Sequence, residues 1–179
     1  MEADVDLRMG TFSKALASCG GFIAGSHEVI DFLRISSRAF LFTASNVPAA
    51  VGAALAALRI IRSPEGPELF ARVLDNARYL SRGLHALGFR VVDPEPTATP
   101  VVPVVVGDDW KAVLLWRALY DAGVYVNVAI HPAVPPGGAL LRTSVMATHE
   151  HDTLDRALAI FAEAKRAFEA EHGPLPTPV

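Results

Sequence analysis

The chain has 179 residues, 51% hydrophobic and 20% charged, with a formal net charge of −3. That length allows one sizeable core or two small ones, and with no basic run the charge gives no reason to expect a nucleic-acid partner. The single cysteine, Cys19, excludes an internal disulfide and fits a reducing compartment. No stretch reaches the ~18 uninterrupted apolar residues of a membrane span. The acidic start (Glu2, Asp4, Asp6) is unlike a signal peptide, so a soluble, cytoplasmic protein without a transmembrane segment is expected.

In chain order, Asp6 to Met9 reads as a strand feeding a loop, and Gly21 to Gly25 as a short buried strand. Ser26 is placed to cap a helix running to Ser36, and Phe40 to Phe42 reads as extended. A helix of small residues follows from Pro48 to Ile61, and Ser63 to Pro67 breaks it. Leu69, Val73, Ala77, Leu80, Leu84 and Leu87, spaced by three and four, predict a long amphipathic helix that stops at Gly88. Beyond it, Arg90 to Val92 is extended, Asp93 to Thr99 is a Pro-rich turn and Val101 to Val106 is a buried strand. Asp109 to Ala122 is helical, Val124 to Ala129 and Leu140 to Met146 are strands, and His151 to Glu171 is a charged amphipathic helix. The tail, residues 173–179, holds three prolines and is expected to be disordered. A boundary is expected at residue 88, with a compact α/β unit behind it whose helices lie on one face of a small sheet.

The most informative segment runs from Gly10 to Phe22. It places Lys14, one of three lysines, among small residues and the hydroxyls of Thr11 and Ser13. A lysine amine that can be desolvated loses its proton readily and can bond to a carbonyl carbon; the hydroxyls and glycine amides suit an anionic group such as a phosphate. A plain surface turn with a solvated lysine has the same pattern. Lys111, at a helix start, and Lys165, on a polar helix face, read as solvated. Arg142, between Leu141 and Thr143 in an apolar strand, suits a carboxylate, or a paired Asp or Glu. His149 and His151 have no third ligand near them in sequence, and no metal site is expected.

Gly10-Thr11-Phe12-Ser13-Lys14-Ala15, with Ser18, Gly20 and Gly21, resembles the cofactor-lysine segment of the α-oxoamine synthases, pyridoxal-phosphate enzymes of fold-type I. Residues 39–48 and the sequence from Gly123 through Pro132-Ala133-Val134-Pro135 to Arg142-Thr143-Ser144 are similar to two further family segments, in an order most like the serine palmitoyltransferase branch. The resemblance covers about Asp6 to Phe168 and implies an α/β chain: the carboxy-terminal half of a fold-type I transferase. Residues 1–88 would be the end of the cofactor-binding large domain and residues 89–172 the small domain. It implies pyridoxal 5'-phosphate on Lys14, Thr11 on its phosphate, Thr43 and Ser45 reaching that phosphate from a partner subunit, and Arg142 on a substrate carboxylate. The implied reaction condenses serine, glycine or alanine with an acyl-CoA or acyl-carrier-protein thioester, with decarboxylation, in a homodimer or with a complementing amino-terminal half. The family's stacking ring, its aspartate and its glycine-rich phosphate loop lie upstream of the lysine and have no counterpart here. Asn46 and Val47 depart from the family's Leu-Pro, and His131 stands where sphingolipid-type members carry an arginine. Another fold-type I enzyme (aminotransferase or lyase) and a non-catalytic fragment or regulatory subunit remain alternatives.

Overall fold

The computed structural model describes residues 4–96 and 99–177. They divide into two compact units, Met1–Pro67 and Glu68–Val179.

In the first unit β1 (Arg8–Thr11) pairs antiparallel with β2 (Gly21–Ala24), Arg8 opposite Ala24 and Thr11 opposite Gly21, so the lysine segment is the loop of a hairpin. The expectation of a buried β2 is corrected: Phe22 and Ile23 are both exposed. A two-stranded ribbon has no second layer of its own, so an apolar run that reads as buried can stay open. α1 (His27–Ser36) begins as predicted after Ser26, which caps through its backbone carbonyl, accepting from the Ile30 amide, and not through its hydroxyl. Residues 40–42 are not extended. Phe40 and Leu41 belong to a helical turn, α2 (Arg38–Leu41), started where the Ser37 hydroxyl accepts the Phe40 amide, and Phe42 caps its end, donating its amide to the Arg38 carbonyl. α3 (Pro48–Ile61) opens on Pro48, whose lacking N–H has no acceptor to miss in a first turn, and among its residues only Ala54 is buried. α4 (Glu65–Ala86) starts inside the segment predicted as a break. Pro67 is tolerated because first-turn amides have no intrahelical partner.

In the second unit β3 (Arg90–Val91), β4 (Val101–Gly107), β5 (Asn127–Ala129) and β6 (Ala139–Ser144) form an antiparallel sheet in the order β3-β4-β6-β5. β6 lies between β4 and β5, so the connection through α5 (Asp109–Asp121) steps over it. β4 is not buried throughout: Val102, Val104 and Val106 are buried and alternate with half-buried residues, the signature of a sheet covered on one face. The core they join holds Ala77, Leu80 and Leu84 of α4, Leu115 and Leu119 of α5, and Phe161 of α6 (His151–His172). Phe161 meets Phe89 edge-on at 5.5 Å. The predicted periodicity of α4 holds, and it explains why the divide falls near residue 67 and not 88: Leu80 and Leu84 find their partners in the sheet's core.

Two further expectations are corrected. Lys165 is not solvated. Its Nζ donates to the carbonyls of Leu87 (2.9 Å) and Gly88 (2.7 Å) and lies 5.0 Å from the centre of the Phe89 ring, closing the carboxy-terminal end of α4. The tail is ordered through residue 177, with Leu175 only 6% exposed, its amide donating to Glu169 Oε1, and the Pro174 carbonyl accepting from Lys111 Nζ. Residues 178 and 179, and residues 97 and 98 of the Pro-rich turn, lie outside the described residues. No helix among the described residues is long and apolar enough to cross a membrane.

Tyr79 of α4 stacks on His151 of α6, with ring centres 4.2 Å apart, and donates to Asp155 Oδ1 at 2.5 Å. That hydrogen bond, with smaller contributions from burial and from the charges of Asp155 and Asp152, raises the phenol above its ordinary 10.0. The folded chain therefore holds this proton more tightly than the unfolded one. The contribution is complete below pH 10.0 and lost as pH rises through the folded value. Thermal unfolding across that alkaline window should show a steeper loss of Tm in the wild type than in Tyr79→Phe; parallel curves would mean the bond contributes nothing.

Candidate functional site

The hairpin loop between β1 and β2 is folded on itself. Phe12 donates to the Gly20 carbonyl, Ser18 to that of Phe12, and Ala17 to that of Lys14, each at 2.9 Å. Gly20 sits at φ +108, a conformation costly for any side chain, and a Cβ there would lie 2.7 Å from Asn46 Nδ2. A Cβ on Gly21 would lie 2.5 Å from the Gly10 carbonyl oxygen, so the two strands approach this closely only because residue 21 is glycine. On this frame Lys14 Nζ donates to Ser13 Oγ at 3.2 Å, and Ser13 Oγ donates to Thr11 Oγ1 at 3.2 Å. The loop thus presents a primary amine and two hydroxyls in one connected chain. All three side chains are exposed.

Thr43 and Ser45 lie in the turn between α2 and α3, and neither hydrogen-bonds to that chain. The Thr43 hydroxyl donates to the Ala39 carbonyl, whereas Ser45 has no polar partner among the described residues. Asn46, beside Ser45, abuts Gly20 and brings this turn against the lysine loop. The Ser18 hydroxyl, which sequence reasoning passed over, donates to the Ala50 carbonyl at 2.6 Å and ties the loop to α3. Only the spacing of a hydroxyl four residues past the lysine hints at it.

In the second unit Arg142 sits on β6, between Pro103 of β4 and Asn127 of β5. It is exposed, on the face away from the core. Among the described residues it makes no hydrogen bond or ion pair. Next to it Tyr125 donates to Asn127 Oδ1 at 3.2 Å. His131 begins the Pro/Gly loop, and its amide donates to Asp109 Oδ1. His149 accepts the Met146 amide on Nδ1, and His151 packs on Tyr79 with Nε2 3.7 Å from Asp75 Oδ2.

Residues 1–161 match the family of class I and II aminotransferases. The chain belongs to that family. Relatives within it include the serine palmitoyltransferase of Bacteriovorax stolpii, 40% identical over 166 residues, which cover 93% of this chain and 38% of that protein. The 8-amino-7-oxononanoate synthase of Thermoanaerobacter pseudethanolicus is 38% identical over 157 residues, covering 88% and 38%. A solved structure of SPT with the PLP internal aldimine matches with a TM-score of 0.85 at 37% identity, over 93% of this chain and 41% of that one. Sphingomonas wittichii serine palmitoyltransferase matches with a TM-score of 0.84 at 34% identity, over 98% and 42%. This class I/II chain therefore spans about 40% of the length of the relatives it matches, and corresponds to the carboxy-terminal region of the fold-type I architecture. The family's cofactor is pyridoxal phosphate. The donor set of the hairpin loop fits that group: one amine for an aldehyde carbon, and hydroxyls beside it for a phosphate.

Proposed function

We propose that this chain carries the lysine and the carboxylate-binding arginine of a pyridoxal-phosphate-dependent acyltransferase. The enzyme would condense serine, glycine or alanine with an acyl-CoA or acyl-carrier-protein thioester. The products would be an α-aminoketone, carbon dioxide and the free thiol, the reaction that opens sphingolipid biosynthesis when serine is the substrate. The observation that supports it most is the Lys14–Ser13–Thr11 chain, held at 3.2 Å per link in a segment shared with serine palmitoyltransferases.

In this reading Lys14 Nζ holds the cofactor through its aldehyde carbon. The same Lys14 amine would serve as the base that removes the substrate's α-proton. The bound cofactor supplies the electron sink for the carbanion. Thr11 donates its hydroxyl to the phosphate, and between the two turn hydroxyls Ser45 is the better second donor because Thr43 is engaged with Ala39. Arg142 binds the substrate carboxylate with two parallel N–H donors until that group leaves as carbon dioxide. The exposed apolar side chains of α3 (Val51, Leu55, Leu58) support assembly as a homodimer or with an amino-terminal half of the fold. The one cysteine, free and exposed, supports a cytoplasmic setting.

The test supplies carboxyl-labelled serine, glycine or alanine with an acyl-CoA and cofactor, and expects labelled carbon dioxide matched by an equal amount of aminoketone. Arg142→Ala should raise the amino-acid KM about 100-fold, as loss of two charge-assisted bonds predicts, and Arg142→Lys should recover only part of it. Amino-group transfer without thioester consumption would replace this reading with an aminotransferase. No turnover and no cofactor binding would replace it with a non-catalytic partner.

A further inference from the structure

Among the described residues, the lysine loop has one side-chain hydrogen bond to a residue outside the hairpin. Within the loop, the backbone bonds from Phe12, Ala17 and Ser18 set its curl but bind it to nothing else. Ala17 stands at φ +48, a left-handed conformation that disfavours any residue with a Cβ, so the curl is strained and needs holding. The Ser18 hydroxyl supplies the hold: it is half-buried and donates to the Ala50 carbonyl in the first turn of α3 at 2.6 Å. Asn46, one residue before the α3 N-cap, closes over Gly20 from the same side.

We infer that Ser18 is a positioning residue, which fixes the conformation of the loop bearing Lys14 by anchoring it to the start of α3. Lys14 lies four residues away and, among the described residues, hydrogen-bonds to neither Ser18 nor α3, so the effect passes through the loop backbone: with the anchor in place, Lys14 Nζ stays on Ser13 Oγ, and Ser13 on Thr11. The functional meaning of the anchor rests on the reading of Lys14 as the cofactor-bearing amine; the anchor itself does not. It also means that whatever displaces α3 displaces the amine.

The experiment compares the wild-type chain with Ser18→Ala and Ser18→Thr by two readouts that need no cofactor. Amide exchange is followed in a peptide covering residues 10–21, and the reductive methylation rate of Lys14 is measured against that of Lys111 in the same molecule. Ser18→Ala should speed loop exchange and raise the relative methylation of Lys14 by roughly fivefold each, the factor carried by one neutral hydrogen bond, with exchange in α5 and α6 unchanged. Ser18→Thr, which keeps the hydroxyl, should restore both. Unchanged loop exchange in Ser18→Ala overturns the anchor. Faster exchange with Lys14 reactivity unchanged also overturns the inference, because the bond would then be merely structural. Failure of pyridoxal phosphate to bind the wild-type chain, measured in parallel by its absorbance, counts against the proposed function and leaves these two readouts to decide the anchor.

Discussion

Borohydride reduction of the chain with pyridoxal phosphate is expected to fix the label on Lys14 alone, and Lys14→Ala is expected to remove it at least tenfold, to the level of non-specific reaction at other amines. The three lysines are placed differently enough to make this a sharp test. Lys165 spends its donors on two backbone carbonyls beneath the Phe89 ring, and Lys111 reaches the Pro174 carbonyl. Among the described residues neither hydrogen-bonds to a hydroxyl. Lys14 has Ser13 at 3.2 Å and Thr11 one link further. Lys14→Arg should be as blank as Lys14→Ala, since a guanidinium keeps the charge but stays protonated and is no nucleophile. In the active assembly either variant should cost about 10³-fold or more in turnover, because an amine that both binds the cofactor and moves the proton has no substitute. Peptide mapping decides: label on Lys111 or Lys165, or label that survives in Lys14→Ala, would overturn the role given to Lys14.

Much of this arrangement was legible in the sequence because it depends on local pattern. The lysine loop, Pro48 at the head of α3, and the three-and-four spacing of Ala77, Leu80 and Leu84 each follow from rules that act within one turn or one strand. The resemblance to α-oxoamine synthases rested on contiguous motifs, and the family match agrees with it. What the sequence hid was long-range. Lys165 looked like a solvated helix lysine because its acceptors, the carbonyls of Leu87 and Gly88, are 78 and 77 residues away. β2 looked buried because an apolar run does not say whether a second layer covers it. The 38–42 turn was hidden by a single hydroxyl, that of Ser37, whose capping bond outweighs the extended preference of Phe40 and Phe42. The exposed place of Arg142 was also out of reach, since the face it takes depends on the register of β6 against both neighbours.

Asn76 is the clearest case of a residue that no local pattern reveals, and replacing it should be among the most destabilising changes in the second unit. It is 2% exposed on α4, and its amide nitrogen donates to the carbonyls of both Met146 (2.9 Å) and His149 (2.8 Å). An asparagine amide has two donor hydrogens, so both are used, one on each end of the turn that leads from β6 into α6. Asn76→Leu keeps the volume but leaves the His149 carbonyl without the Asn76 donor and the Met146 carbonyl with the His149 amide alone (3.2 Å), and is expected to lower stability by about 1–3 kcal/mol in urea unfolding. Asn76→Asp should be worse at neutral pH, by about 3–5 kcal/mol relative to wild type, because it sets a buried carboxylate against two carbonyl oxygens. The two variants also separate by pH. Burial and the facing carbonyls would raise the new carboxyl above its unfolded value of ~3.9, so its folded form is favoured at low pH and penalised as pH rises through the folded value. Asn76→Asp should therefore recover part of its loss on acidification toward pH ~4, whereas Asn76→Leu should not. A leucine variant as stable as wild type would mean that the two carbonyls find other donors. The β6–α6 turn, and the strand that places Arg142 three residues before Val145, would then be held by packing alone.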